Sequence, residues 1–207
     1  AALLAARTSG EGQVVDAAMV DGSAILMTMM YELMGRGQWD NRREANMNDG
    51  GAHFYGVYET SDGKYVSVAA MEPKFFEELL QRMDLDLTDF CGQWDKAKWP
   101  AAKQRLADVF STKTRQHWCD LLEGTDACFA PVLSMEEAIK HPHNVHRGTF
   151  TDVNGIMQPS PAPRFSRTTA EISRPAAKPG EHTDEVLLEF GLDAAKIMEL
   201  RAGSVVA

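Results

Sequence analysis

Apolar residues follow two rhythms along this chain, and each predicts a different element. Across residues 13–33, Val14, Val15, Ala18, Met19, Gly22, Ile25, Leu26 and Met29 share a broad helical face. The start of that run, residues 12–16, fits equally well a short strand leading into the helix. Ahead of it, residues 1–7 read as the end of a helix whose C-terminal dipole suits Arg7. Residues 8–12 are a Gly-rich turn, and Gly35-Arg36-Gly37 closes the longer helix. The second rhythm is that of strands. Residues 54–59 and 64–70 read as a hairpin turned at Ser61-Asp62-Gly63, where Asp-Gly is a favoured turn pair. Pro73 then suits the first turn of a helix, because that position needs no backbone N–H. Phe75, Phe76, Leu79, Leu80 and Met83 form its apolar stripe.

Further helices are predicted at residues 100–111, 114–123 and 134–140, the last opened by a capping box, Ser134-Met135-Glu136-Glu137. Cys128 to Leu133 is a short apolar link, and residues 149–174, rich in Pro and Ser, look extended. His182-Thr183-Asp184-Glu185 caps a helix at residues 186–190. Gly191 breaks it, and residues 194–201 make a last short one. Asn46-Met47-Asn48-Asp49-Gly50-Gly51 is a loop. No internal repeat stands out.

Composition narrows the class. A chain of 207 residues, 44% hydrophobic and 25% charged, is ordinary for a globular protein with a buried core. A net charge of −9 argues against a nucleic-acid surface, which needs clustered basic residues. No apolar run approaches the roughly 20 residues that cross a bilayer, so no membrane span is expected. The three cysteines, Cys91, Cys119 and Cys128, are widely spaced and read as reduced core thiols of a cytoplasmic protein. The chain opens inside a helix without an initiator Met, which reads as the back portion of a longer protein. Residues 203–207 carry no Ser-Lys-Leu address.

The residue in unusual company is Glu72. It ends the apolar run Tyr65-Val66-Ser67-Val68-Ala69-Ala70-Met71 and stands directly before Pro73. It is either a helix-start acid, favoured there by about 0.3–1 kcal/mol, or part of a buried active site. The His141-Pro142-His143-Asn144-Val145-His146 stretch offers three imidazoles. Pro142 and the lack of a nearby Cys or Asp cluster argue against a metal, and none is expected. Eleven methionines are many for this length, and Met19, Met27, Met29, Met30, Met34 and Met47 crowd one region. Unbranched thioethers adapt to varied apolar shapes, so this crowd fits an acyl-binding surface as well as core packing. Asp16 and Asp21 do not share a helical face and read as structural.

Residues 8–22, Thr-Ser-Gly-Glu-Gly-Gln-Val-Val-Asp-Ala-Ala-Met-Val-Asp-Gly, resemble a segment of the family III CoA-transferases, and more narrowly their α-methylacyl-CoA racemase branch. Ala45-Asn46-Met47-Asn48-Asp49-Gly50-Gly51, Asp62-Gly63-Lys64-Tyr65-Val66, Ala70-Met71-Glu72-Pro73, the Pro159 to Ser166 stretch and the Gly180 to Leu187 tail agree in the same order. The resemblance implies an α/β chain of the family III CoA-transferase fold, an interlocked homodimer. Residues 1–51 would be part of a large domain, 52–148 a small α+β domain, and 149–207 a return linker and C-terminal segment. It implies an acyl-CoA thioester substrate, racemised at C2 through an enolate, with CoA part of the substrate and no separate cofactor. In the family a His and an Asp of the large domain exchange the α-proton, and a Glu of the small domain hydrogen-bonds the His. That Glu matches Glu72. None of the six His present sits in the catalytic His context, and the matching His and Asp are expected upstream of Ala1. Met19, Met29, Met30 and Met47 become acyl-pocket candidates, and Tyr55 matches a position near the site. Two alternatives remain: a CoA-transferase of the same family, and a catalytically silent chain that only binds or dimerises.

Overall fold

The computed structural model describes residues 1–206. The last position of the C-terminal stretch read for an address, Ala207, lies outside the described residues. Contacts group the chain into two compact units, residues 1–132 and 133–207.

The first unit is built on an antiparallel sheet in the order β1-β2-β3, with β1 at Tyr55–Glu59, β2 at Tyr65–Ala69 and β3 at Phe129–Val132. The expected hairpin is present: Tyr55 faces Ala69, Tyr58 faces Val66 and Glu59 faces Tyr65. Its turn is tied down from within. The Thr60 hydroxyl, 3% exposed, donates to the Asp62 carboxylate at 2.6 Å, and the Arg115 backbone N–H donates to the same carboxylate at 3.1 Å. Gly63 adopts φ +70°, the left-handed conformation a tight turn requires. β3 corrects the reading of residues 128–133 as a mere link. Ser67 faces Ala130 and Val66 faces Pro131. Pro131 has no N–H to give a ladder, and an edge strand is where that loss is tolerated.

Helices cover one face of this sheet. They are α4 (Pro73–Arg82), α5 (Trp99–Phe110) and α6 (Arg115–Leu122), with a 3-10 turn at Leu87–Phe90 that was not predicted. α5 lies against β1, α6 against β3, and α4 against α6. Period-2 alternation on β2 sends Val66 and Val68 inward, with Ala70 just beyond the strand end. They meet Phe76, Leu79 and Leu80 of α4, Leu106 and Phe110 of α5, and Trp118 and Leu122 of α6. Rings interlock here: Tyr58 stacks on Phe110 at 5.1 Å, and Trp118 meets Phe110 edge-on at 5.2 Å while its indole N–H donates to the Phe110 carbonyl.

Before the sheet come α1 (Ala2–Ser9), α2 (Met19–Leu26) and α3 (Thr28–Gly35). The single helix expected over residues 13–33 is thus an irregular lead-in and two short helices. The break falls at Met27, whose φ −86°, ψ 3° leaves helical geometry. None of the three helices buries a residue. Val14, Met19 and Leu26 are 96%, 89% and 82% exposed, and Val20 and Ile25 are exposed as well.

The second unit holds α7 (Met135–Lys140), α8 (Pro142–Arg147), a hairpin of β4 (Phe150–Val153) and β5 (Ile156–Pro159), α9 (Thr183–Glu189) and α10 (Ala194–Ala202). The Ser134–Glu137 capping box forms in full. The β4–β5 hairpin corrects the extended reading of the Pro- and Ser-rich stretch. It turns at Asn154 and Gly155, both with positive φ, an Asn-Gly pair that marks a two-residue hairpin. His182 occupies the N-cap of α9 but its side chain makes no capping bond there. It lies 3.4 Å from Glu185, which Arg174 also grips.

Truncation of the ring at the centre of the first unit tests this packing. Phe110→Ala is expected to lower unfolding free energy by about 3–5 kcal/mol. Urea denaturation followed by far-UV circular dichroism reads it, and a loss under 1 kcal/mol would place the core elsewhere.

Candidate functional site

Glu72 stands where β2 has ended and α4 has not begun. It is the N-cap of α4 in extended conformation, φ −71° and ψ 134°, and its carbonyl accepts the N–H groups of Phe75 and Phe76 at 3.0 and 3.1 Å. Its carboxylate makes no capping hydrogen bond and is exposed. The side chain is therefore not spent on starting the helix; the backbone does that, with Pro73 supplying a fixed φ at the first position. Cys128 lies close enough that the Glu72 charge, second to burial, raises its thiol above the usual range. The Cys128 carbonyl in turn accepts the Ala69 N–H at 2.9 Å.

The loop before β1 is held by a buried amide. Asn46, 1% exposed, accepts the Asp40 N–H at 2.9 Å and donates to the Asp40 carbonyl at 2.9 Å and the Asp49 carboxylate at 2.8 Å. Asp49 also receives the N–H groups of Asn46, Gly51 and Ala45. Partial burial, the largest single influence, would raise its carboxyl; these hydrogen bonds together overcome it and hold it below the usual carboxylate range. Gly51 is required by close approach: a Cβ there would stand 2.7 Å from the Glu44 carbonyl carbon and oxygen. This knot fixes Met47, which packs on the core and lines a cavity of about 580 Å³ with Leu33, Trp39, Trp94 and Trp99.

Tyr55, also packed on the core, faces Ala69 across the hairpin, three residues before Glu72. Met47 and Tyr55 thus both pack on the core, while Glu72 stands three residues past the end of β2. Met19 lies on α2, 89% exposed, and Met29 and Met30 lie on α3, which contributes nothing to the core. Among the described residues no three His, Cys, Asp or Glu side chains gather as a metal set, and residues 142–147 form α8. An exposed carboxylate on a rigid junction can accept a hydrogen bond from an imidazole and stabilise its charged form, or receive another donor.

The mixed α/β arrangement is that of known structures. A CaiB/BaiF family protein from Brucella suis matches with TM-score 0.64 at 19% identity, over 90% of this chain and 50% of that one. A hypothetical protein from Mycobacterium tuberculosis matches with TM-score 0.64 at 19% identity, over 89% and 50%. The family model for CoA-transferase family III matches residues 1–183, and the chain belongs to that family. Among curated proteins, the alpha-methylacyl-CoA racemase of Mus musculus is 42% identical over 99% of this chain and 54% of its own length. The human protein of that name is 40% identical over 96% and 52%. The chain thus spans about half the length of these relatives.

A buried histidine escaped the sequence reading. His53 is 1% exposed among Phe54, Phe76 and Phe90, with ring centroids at 5.2, 5.1 and 6.1 Å. Neither ring nitrogen has a hydrogen-bonding partner among the described residues. Its sole sequence signal was a His between Ala52 and Phe54 at a strand entry, which does not distinguish a core position from an exposed one. Desolvation pushes its pKa down from 6.5 to about 4, so the folded protein keeps it neutral. The unfolded chain binds a proton there near 6.5 while the folded chain does not. Stability from this group is therefore intact above about pH 6.5 and is lost as pH falls toward 4. The full loss amounts to about 3 kcal/mol. Urea midpoints measured from pH 7 to pH 4 should fall in the native protein and flatten in His53→Leu; parallel curves would show that His53 is not the titrating group.

Proposed function

We propose that the full-length protein racemises C2 of 2-methylacyl-CoA thioesters, in fatty-acid metabolism in the cytoplasm, as a homodimer without a separate cofactor. Removing a proton next to a thioester needs a base within hydrogen-bond reach and a donor or dipole for the enolate oxygen. Glu72 serves neither need directly. Its role is to orient the imidazole that carries the proton and to stabilise that imidazole when charged, as a carboxylate behind a catalytic His does. The observation that carries the reading is the Glu72 carboxylate itself, exposed at a rigid strand–helix junction and unused by the helix it precedes. The relatives named alpha-methylacyl-CoA racemase, 42% and 40% identical, supply the reaction. Met19, Met29, Met30 and Met47 would line the acyl chain, and Tyr55 the approach to it.

Assembly has its own support. Met19, Val20, Ile25 and Leu26 expose apolar side chains along α2, and contiguous apolar surface of this kind marks contact with more protein. A second subunit and the remainder of the chain are the proposed cover.

Deuterium exchange at C2 of a 2-methylacyl-CoA in heavy water, with loss of stereochemical purity, is the direct test. CoA passing instead to an added carboxylate would make the protein a transferase. In the full-length protein Glu72→Gln should reduce kcat about a hundredfold and leave KM nearly unchanged; unchanged turnover would reduce Glu72 to a helix-start residue. Ile25→Asp should move the full-length protein from dimer to monomer in analytical ultracentrifugation, and an unaltered dimer would remove α2 from the interface.

A further inference from the structure

Gln93 sits in the loop between the 3-10 turn and α5, yet its side chain reaches back to the residues that lead into Glu72. Its Nε2 donates to the Ala70 carbonyl at 3.2 Å and to the Met71 carbonyl at 2.9 Å. Both carbonyls lie past the last residue of β2 and ahead of the first residue of α4, where neither ladder nor helix supplies a donor. Ala70 is fully buried, so water is a poor substitute there.

The loop is itself anchored for this reach. The Trp99 indole N–H, on a ring 4% exposed, donates to the Gln93 carbonyl at 2.8 Å. Gly92 takes φ +82°, and the Asp95 N–H closes the bend on the Gly92 carbonyl at 2.8 Å. An unbroken chain of contacts thus runs from the buried Trp99 through Gln93 to the two peptide groups that precede Glu72.

We propose that Gln93 is a positioning residue for Glu72, setting the direction of the peptide from which the carboxylate projects. This rests on the reading that Glu72 supports the reacting imidazole. Orientation matters steeply in such a site, because a displacement on the order of 1 Å can cost a hundredfold in rate. A carboxylate on a free strand end would sample such displacements; two hydrogen bonds from one amide remove that freedom.

The test compares wild type, Gln93→Met, Glu72→Gln and the double variant of the full-length protein by C2 deuterium exchange. Met retains the bulk of Gln and lacks the donors. Gln93→Met should lower kcat at least tenfold with KM changed less than twofold, and should add nothing in the Glu72→Gln background. An additive loss would overturn the proposal, since Gln93 would then act through something else. Unchanged kcat in Gln93→Met, with a large loss in Glu72→Gln, would overturn it and leave the role of Glu72 standing. No loss in Glu72→Gln would overturn both. A second readout needs no turnover: with Cys91 and Cys119 replaced by Ser, the pH dependence of Cys128 alkylation reports the nearby Glu72 charge. Glu72→Gln should shift that profile to lower pH, and Gln93→Met should move it measurably from wild type. A profile unmoved by Gln93→Met would count against any displacement of Glu72.

Discussion

The closed core of the first unit, from Ala52 to Ala127, hangs on one sheet face covered by rings. The hairpin can bury only alternate residues, so Val66, Val68 and Tyr58 must find apolar cover on a single side. Phe76, Phe110 and Trp118 provide it from three different helices; Phe110 and Trp118 meet edge-to-face, and Phe76 meets Phe54 and Phe90 in the same way. Because α4 is held by this core through Phe76, Leu79 and Leu80, its first residue has little freedom. The junction that carries Glu72 inherits that rigidity from both sides, from β2 before it and from α4 after it.

A rigid junction has a cost in unsatisfied backbone groups, and the way this chain meets it explains the local design. Past the end of β2 the main chain leaves the ladder, and α4 takes up the Glu72 carbonyl but not those of Ala70 and Met71. The Cys128 carbonyl takes the Ala69 N–H, the Met71 N–H turns back to the Ala69 carbonyl, and Gln93 covers the carbonyls of Ala70 and Met71. The same solution recurs in the entry loop, where Asn46 and Asp49 satisfy the backbone of residues 40–51 from within. In both places side chains do the work of secondary structure. That lets irregular backbone hold a side chain as firmly as a strand would. His53 and Asn48 are the exceptions: among the described residues neither the His53 ring nitrogens nor the Asn48 Oδ1 has a hydrogen-bonding partner, and desolvation keeps His53 neutral.

What was legible in the sequence follows from how local each cause is. The β1–β2 hairpin was readable because alternation and Asp62-Gly63 lie within one short stretch. So was the start of α4 at Pro73, and so was the capping box at Ser134, whose two hydrogen bonds join residues three apart. β3 was not readable. Residues 129–132 contain a Pro and become a strand only by pairing with β2, more than sixty positions earlier. The β4–β5 hairpin carried a local signal, Asn154-Gly155, that the Pro- and Ser-rich surroundings obscured. Of the candidate site, Glu72 stood out because an acid at the end of an apolar strand is conspicuous. Gln93 had no such mark, since an amide in a polar loop looks the same whether it faces solvent or bonds the carbonyls of Ala70 and Met71, more than twenty positions earlier.

The contrast between the first unit's two halves bears on how such a site works. From Ala52 to Ala127 the chain builds a closed core. From residue 1 to the end of α3 it builds helices that bury nothing, though they carry many of its apolar side chains. Helices this short are marginal in water by themselves, and in folded proteins their stability comes from packing an apolar face. The proposed function gives them that cover in a second subunit and the remainder of the chain. An active site formed where that protein meets the closed core would exclude water only on assembly, and burial strengthens the hydrogen bond between a carboxylate and an imidazole. Under the proposed function Glu72, exposed and unused by the helix it precedes, would meet its imidazole only on such assembly. A rigid junction would hold that meeting to one geometry.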